Sequence, residues 1–149
     1  MTVPYSLHDS IGFLLSLSSR IHERRLEDKL KPLGLTRVSW CVLVAVGHEE
    51  LSKPSQIAAY VGIDRTAASR ALGQLEAAGF VARTAGAGDR RTTRVALSGA
   101  GRDILARGTE AARASAQTLV EGLGAQDRDE IRRLLRIFSR NEGAPLRHI

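Results

Sequence analysis

Apolar residues fall at Leu7, Ile11, Leu14, Leu15, Leu17, Ile21, Leu26 and Leu30, with Arg and Glu between them and no proline within 7–31. That helical spacing predicts a long helix over 7–31, ended by Pro32 and Gly34. Thr36 is placed to cap a second helix, whose core LTRVSWCVLVAVG is apolar enough to be the buried centre. Ser52 or Lys53 followed by Pro54 opens a short third helix, PSQIAAYVG, because proline suits a first helical turn and Gly62 can stop it. Asp64 then caps a fourth, DRTAASRALGQLEAAG, ending at Gly79. With only Gly62 and Ile63 between them, helices three and four take the form of a helix-turn-helix.

After Gly79 the period shortens towards two. FVART and TTRVAL alternate as strands, and AGAGDRR between them is rich in glycine and charge, so a hairpin with an arginine-bearing tip is expected. A two-stranded hairpin is marginal alone and must pack against the helices, which makes it a wing. From Ser98 a fifth helix runs through DILARGTEAARASAQTLVEGL, Gly124 breaks it, and Asp127 opens a last helix to about Arg140 with Ile131, Leu134, Leu135 and Phe138 on one stripe. The fold class is therefore mainly α with a small β-hairpin wing: a winged helix-turn-helix carrying N- and C-terminal dimerisation helices. Residues 1–34 form the first dimerisation helix, 35–97 the winged region and 98–149 the last dimerisation helices, all in one intertwined domain. The terminal stripes have no sheet to cover, so they are expected to bury against a second copy in a two-fold homodimer.

Composition narrows the chemistry. The chain has 149 residues and a net charge of +6, and 19 of its 22 basic residues are Arg. Four of the six net charges lie in residues 63–102, so one face, rather than the whole surface, is suited to a polyanion. There is no run long and apolar enough to cross a bilayer, and MTVPYSLHDS lacks the pattern of an export signal, so a cytoplasmic protein without a membrane partner is expected. One cysteine and four scattered histidines offer no disulfide and no zinc spacing, so neither metal nor cofactor is expected. The common enzyme motifs are also missing, and the expectation is a protein that is not an enzyme.

The fourth helix has two faces. Ala68, Ala71, Leu72, Leu75 and Ala78 fall on one side, and Arg65, Thr66, Ser69, Arg70 and Gly73 on the other. Arg65 and Arg70 suit guanine edges or phosphates, Thr66 and Ser69 suit short hydrogen bonds, and the helix N-terminus offers backbone N–H groups to a phosphate. The plainer reading is a solvated helix surface. On the wing, Arg90 and Arg91 are the candidates for a minor groove, with Arg94 nearby and Asp89 shaping the turn. Lys53, Ser55 and Gln56, at the start of the third helix, would position the duplex without reading it.

The ordered runs LTRVSWCVLVAVG, LSKPSQIAAYVGIDRTAASRALGQLEAAGFVART and GAGDRRTTRVALSGAGRDIL closely resemble the MarR family of bacterial transcription regulators over about residues 7–140. The most specific part is the succession of recognition helix, LEAAGFV, DRR wing and LSxxGR, here Leu97, Ser98, Gly101 and Arg102. The resemblance implies an obligate homodimer of triangular outline that binds a pseudo-palindromic double-stranded operator, often as a repressor. It also implies release of DNA when a small aromatic acid enters a cleft between the dimerising and reading parts.

Such a cleft would lie where the first, second and fifth helices meet, with His22, Arg25, Arg37 and Trp40 the nearest candidates for an aromatic or anionic effector. Core packing and dimer salt bridges compete for the same side chains. The redox-sensing branch of the family carries a reactive cysteine near the start of the first helix, and this chain has none there. Cys41 beside Trp40 reads as a small core residue, with a thiol-responsive regulator as the alternative. A winged helix that binds protein instead of DNA is the other alternative class.

Overall fold

The computed structural model describes residues 4–86 and 88–140, with the backbone but not the side chains of 89–92. Helix α1 (Ile11–Leu30) starts later than the apolar spacing predicts. Ser10 caps it, its hydroxyl accepting from the Phe13 N–H at 3.3 Å, while its own N–H closes a turn onto Leu7 O at 3.2 Å. A 3-10 turn (Lys31–Leu33) ends at Gly34, whose φ of +70° is the left-handed geometry that glycine tolerates.

Helix α2 (Arg37–Gly47) begins with a capping box in which Thr36 and Ser39 each bind the other's backbone N–H. Helix α3 (Pro54–Val61) starts on proline and stops at Gly62, and α4 (Arg65–Ala77) follows after Asp64. The two strands, β1 (Val81–Gly86) and β2 (Asp89–Leu97), pair antiparallel from Val81↔Leu97 to Ala85↔Thr93. The register then jumps to Gly86↔Asp89. Most of AGAGDRR is thus strand instead of loop, because backbone pairing continues past the alternating apolar residues. Helix α5 (Gly99–Leu119) follows Ser98, and α6 (Ala125–Arg140) begins two residues before Asp127, whose carboxylate accepts from the Gly124 N–H at 3.3 Å.

One core joins these pieces. Leu30, Val42, Leu43, Ile57 and Leu72 are fully buried, and Leu26, Leu35, Leu75, Val81, Val95, Ile104 and Leu105 close around them. The wing is tied in at both ends: Val95 N–H donates to Ser52 O at 2.8 Å, and Ser98 N–H to Phe80 O at 3.0 Å. Ser98 has a second task, its hydroxyl donating to Gly79 O at 2.6 Å and accepting from Gly101 N–H at 2.9 Å. At Gly101 a Cβ would collide with the Phe80 carbonyl, so the wing's entry and the first turn of α5 are held in direct contact. These caps and ties orient α4 and the wing on one core.

The outer half of α1 and all of α6 are different. Ile11, Leu14, Leu15 and Leu17 are exposed, as are Ile131, Leu134, Leu135, Ile137 and Phe138, and α6 buries none of its residues. Among the described residues no single helix is long and apolar enough to cross a membrane.

Candidate nucleic-acid interface

Helix α4 presents the two faces its sequence predicts over most of its length. Ala68, Ala71, Leu72 and Leu75 are buried, while Arg65, Thr66, Ser69 and Arg70 are exposed on the opposite side. Two residues depart from the expected split. Ala78 is exposed because it is the C-cap, where the helix leaves the core, and Gly73 is half-buried, 3.6 Å from Arg83 Nη2 measured from an added Cβ. The N-terminus is also less free than expected, since the Asp64 carboxylate already accepts from the Ala67 N–H at 2.7 Å. That acid fixes the start of α4 but opposes an approaching phosphate, so the arginines must supply the attraction.

Helix α3 crosses beside α4, and its first turn joins the same surface. Ser55, with Pro54, lines a groove of about 330 Å³ together with Arg65, Ala68, Ser69, Leu72 and Arg83. Lys53 and Gln56 are exposed next to it. Five expected contact residues (Arg65, Thr66, Ser69, Arg70 and Ser55) therefore lie on one accessible surface formed by two helices.

The wing is partly described. Arg94 is exposed, but its Nη1 donates to Ser52 Oγ at 2.9 Å, so it braces the wing base against the segment entering α3. Arg90 and Arg91 follow Asp89 at the start of β2, after Gly88, whose φ is +91°, and the side chains of all three lie outside the described residues.

Arg83 was not among the expected contacts. Strand alternation places it on the side of Val81, facing α4, where it is half-buried 3.1 Å from the Glu76 carboxylate. The Arg83 Nε proton lacks hydrogen-bond alignment with that acid, so the contact is an ion pair without a directed bond. A charged residue in an inward strand register was the signal that could have found it.

The candidate effector residues sit in different surroundings. Arg37, at the first position of α2, lies 3.9 Å from Glu23, and its backbone N–H donates to Glu27 Oε1 at 3.0 Å, so the acids of α1 hold it. Arg25 faces a different groove, about 320 Å³ between α1 and α5, with Asp28, Lys29, Ser115 and Thr118. Trp40 lies across Gly108, where a Cβ would come within 2.8 Å of its ring, so the absence of a side chain there lets α5 approach the indole closely. His22 Nδ1 and Trp40 Nε1 are nonetheless buried without hydrogen-bond partners. Cys41 is half-buried; burial pushes its thiol pKa up, with the Arg37 charge opposing.

Residues 33–92 match the model of the MarR family. Among solved structures, the fold is similar to that of BpsR from Bordetella bronchiseptica, whose DNA binding is regulated by 6-hydroxynicotinic acid. That match has a TM-score of 0.84 and 23% identity, over 94% of this chain and 100% of the other. CouR from Rhodococcus jostii RHA1, solved with p-coumaroyl-CoA, matches at TM-score 0.79 and 26% identity over 91% and 96% of the two chains. A probable transcriptional regulator from Pseudomonas aeruginosa matches at 0.80 and 28% over 89% and 99%.

Proposed function

We propose that the chain is a dimeric repressor of the MarR family of winged helix-turn-helix regulators, one that binds a pseudo-palindromic duplex operator and is released by a small molecule. It is a DNA-binding transcription regulator, not an enzyme. The observation that carries the reading is the shared surface of α3 and α4, where Arg65, Thr66, Ser69 and Arg70 stand exposed on a helix whose opposite face is locked into the core.

Arg65 and Arg70 read base edges or grip phosphates, Thr66 and Ser69 add short hydrogen bonds, and Lys53, Ser55 and Gln56 hold the backbone. The wing arginines Arg90 and Arg91 enter the minor groove, and Arg94 fixes the wing's base. One such surface per protomer spans successive half-sites about 34 Å apart only if two chains associate with fixed geometry. The bare apolar stripes of α1 and α6 supply that association. In this account residues 1–34 and 98–149 are the dimerising parts and 35–97 the reading part, and the protein acts in the cytoplasm.

CouR has been solved with a 23-mer DNA duplex and with p-coumaroyl-CoA, and BpsR responds to 6-hydroxynicotinic acid. By analogy the effector of this chain is a small aromatic or anionic molecule acting where α1, α2 and α5 meet. His22 and Trp40 carry that role best, since each keeps a buried ring nitrogen without a partner, while Arg25 and Arg37 serve as peripheral cations. A ligand there acts by favouring a spacing of the two α4 helices that no longer matches the operator.

Titration against the DNA upstream of its own gene, at two salt concentrations, tests the reading. Tight binding to that fragment, weaker binding to a scrambled one and a steep loss with salt are expected. Equal, salt-indifferent binding to both fragments is the outcome that rejects a specific regulator.

A further inference from the structure

A further cavity, lined by none of the expected effector residues, opens between the C-terminal end of α2, strand β2 and the first turns of α5. Its volume is about 510 Å³, within the range that accommodates small-molecule ligands. The walls are apolar: Val46, Leu51, Val95, Leu97 and Leu105, with the small Ala96 and Ala106 at the exposed rim. Gly47 lies under two of them, and a Cβ there would collide with the Leu97 and Leu105 side chains, which pack directly on the glycine backbone.

Two opposite charges line the same opening. Arg102 and Glu50 are both exposed, and neither forms an ion pair among the described residues. The Arg102 guanidinium makes one long hydrogen bond, to Leu97 O at 3.3 Å, which keeps it at the rim and leaves donors free. Glu50 is the one described residue other than glycine with a positive φ, +55°, a backbone strain that fixes where its side chain departs. His48 and Ser52 complete the polar rim.

From these features we infer that the cavity binds a small zwitterion with an apolar body, of the class of the apolar α-amino acids: carboxylate on Arg102, ammonium on Glu50, side chain against Leu51, Val95, Leu97 and Leu105. A simple carboxylate would leave Glu50 unmatched and be repelled by it, and a simple amine would fail Arg102 in the same way. The site is independent of the effector region of α1, α2 and α5, and its ligand bridges the wing strand to the helix that leads into the dimerising segment.

Calorimetry of the full chain with phenylalanine, phenylacetate and phenethylamine tests this, since the three share one apolar body and differ only in charge. Phenylalanine is expected to bind at least about tenfold more tightly than either singly charged probe, the scale of one charge-assisted hydrogen bond. Arg102→Gln and Glu50→Gln, both at exposed positions, should each weaken phenylalanine by about tenfold, and Ala106→Phe, which fills the cavity from its rim, should abolish binding. Tightest binding of phenylacetate or phenethylamine overturns the zwitterion, and so does unchanged phenylalanine binding in Arg102→Gln and Glu50→Gln. Absence of heat with all three probes at millimolar concentration overturns the site. Because binding is read without DNA, none of these outcomes bears on the regulator reading, which the operator titration decides separately.

Discussion

The reading lobe and the terminal helices use similar leucine-rich stripes and end in opposite conditions. Within the lobe, Val42, Leu43, Ile57 and Leu72 are 0% exposed; on the outer turns of α1 and on α6, Ile11 is 64% and Phe138 48% exposed. Local sequence cannot separate the two cases, because an amphipathic stripe specifies that something must cover it without specifying what. In the lobe the cover is the rest of the same chain. For α6, whose outer face carries the Glu130–Arg133 pair at 2.6 Å, we take the cover to be a second copy.

Charging the α6 stripe breaks that comparison most severely. Leu134→Glu with Phe138→Glu should convert a dimer into a monomer of 16.1 kDa by sedimentation, while the near-ultraviolet signal of Trp40 in the lobe persists. Unchanged mass would place the interface elsewhere. Next in size is a cavity in the lobe: Leu43→Ala should cost about 2–5 kcal/mol in urea unfolding, whereas Leu14→Ala on the outer turns of α1, measured at a concentration where the chain is monomeric, should cost well under 1 kcal/mol, roughly.

A smaller effect separates capping from packing. Asp64→Ala removes the acceptor for the Ala67 N–H and should destabilise by about 0.5–2 kcal/mol, and it also removes a negative charge from the reading surface. DNA affinity per folded molecule should therefore rise slightly even as stability falls, a divergence that comparing melts with titrations would reveal. The smallest effect concerns Cys41. Its thiol pKa is raised in the folded state, so the unfolded chain ionises first as pH increases. Stability should be unaffected below about pH 8, where both states keep the proton, and should decline slightly above the ordinary thiol range near about 8.5. Alkylation of the folded protein should also be slower than that of the unfolded chain, and a faster rate would revive a thiol-responsive role.

The elements of the reading lobe were legible because their limits depend on local chemistry. Thr36, Asp64 and Ser98 are caps, and Gly34, Gly62 and Gly79 take the positive φ that ends each helix or turn. The outward positions of Arg65, Thr66, Ser69 and Arg70 on α4 followed from periodicity, whereas Gly73 and Ala78 did not. What escaped was set by contacts distant in sequence. Arg94 binds Ser52 and Arg83 meets Glu76, and the acids of α1 hold Arg37, so three arginines that looked free, or went unnoticed, are engaged by partners no local pattern shows. The cavity above Gly47 was equally hidden, since it is made by three elements whose residues each look like ordinary core or rim.

Whether α4 reads DNA through its outward arginines is decided by the salt dependence of operator binding for the natural chain and for Arg65→Ala with Arg70→Ala. A duplex selected from genomic fragments by the purified protein serves as the operator. A loss of about 1–3 kcal/mol is expected for each arginine that contacts a base, and a shallower salt slope where a phosphate contact is lost, with the dimer and its melting temperature retained. Operator affinity and salt slope unchanged in the double variant would contradict it.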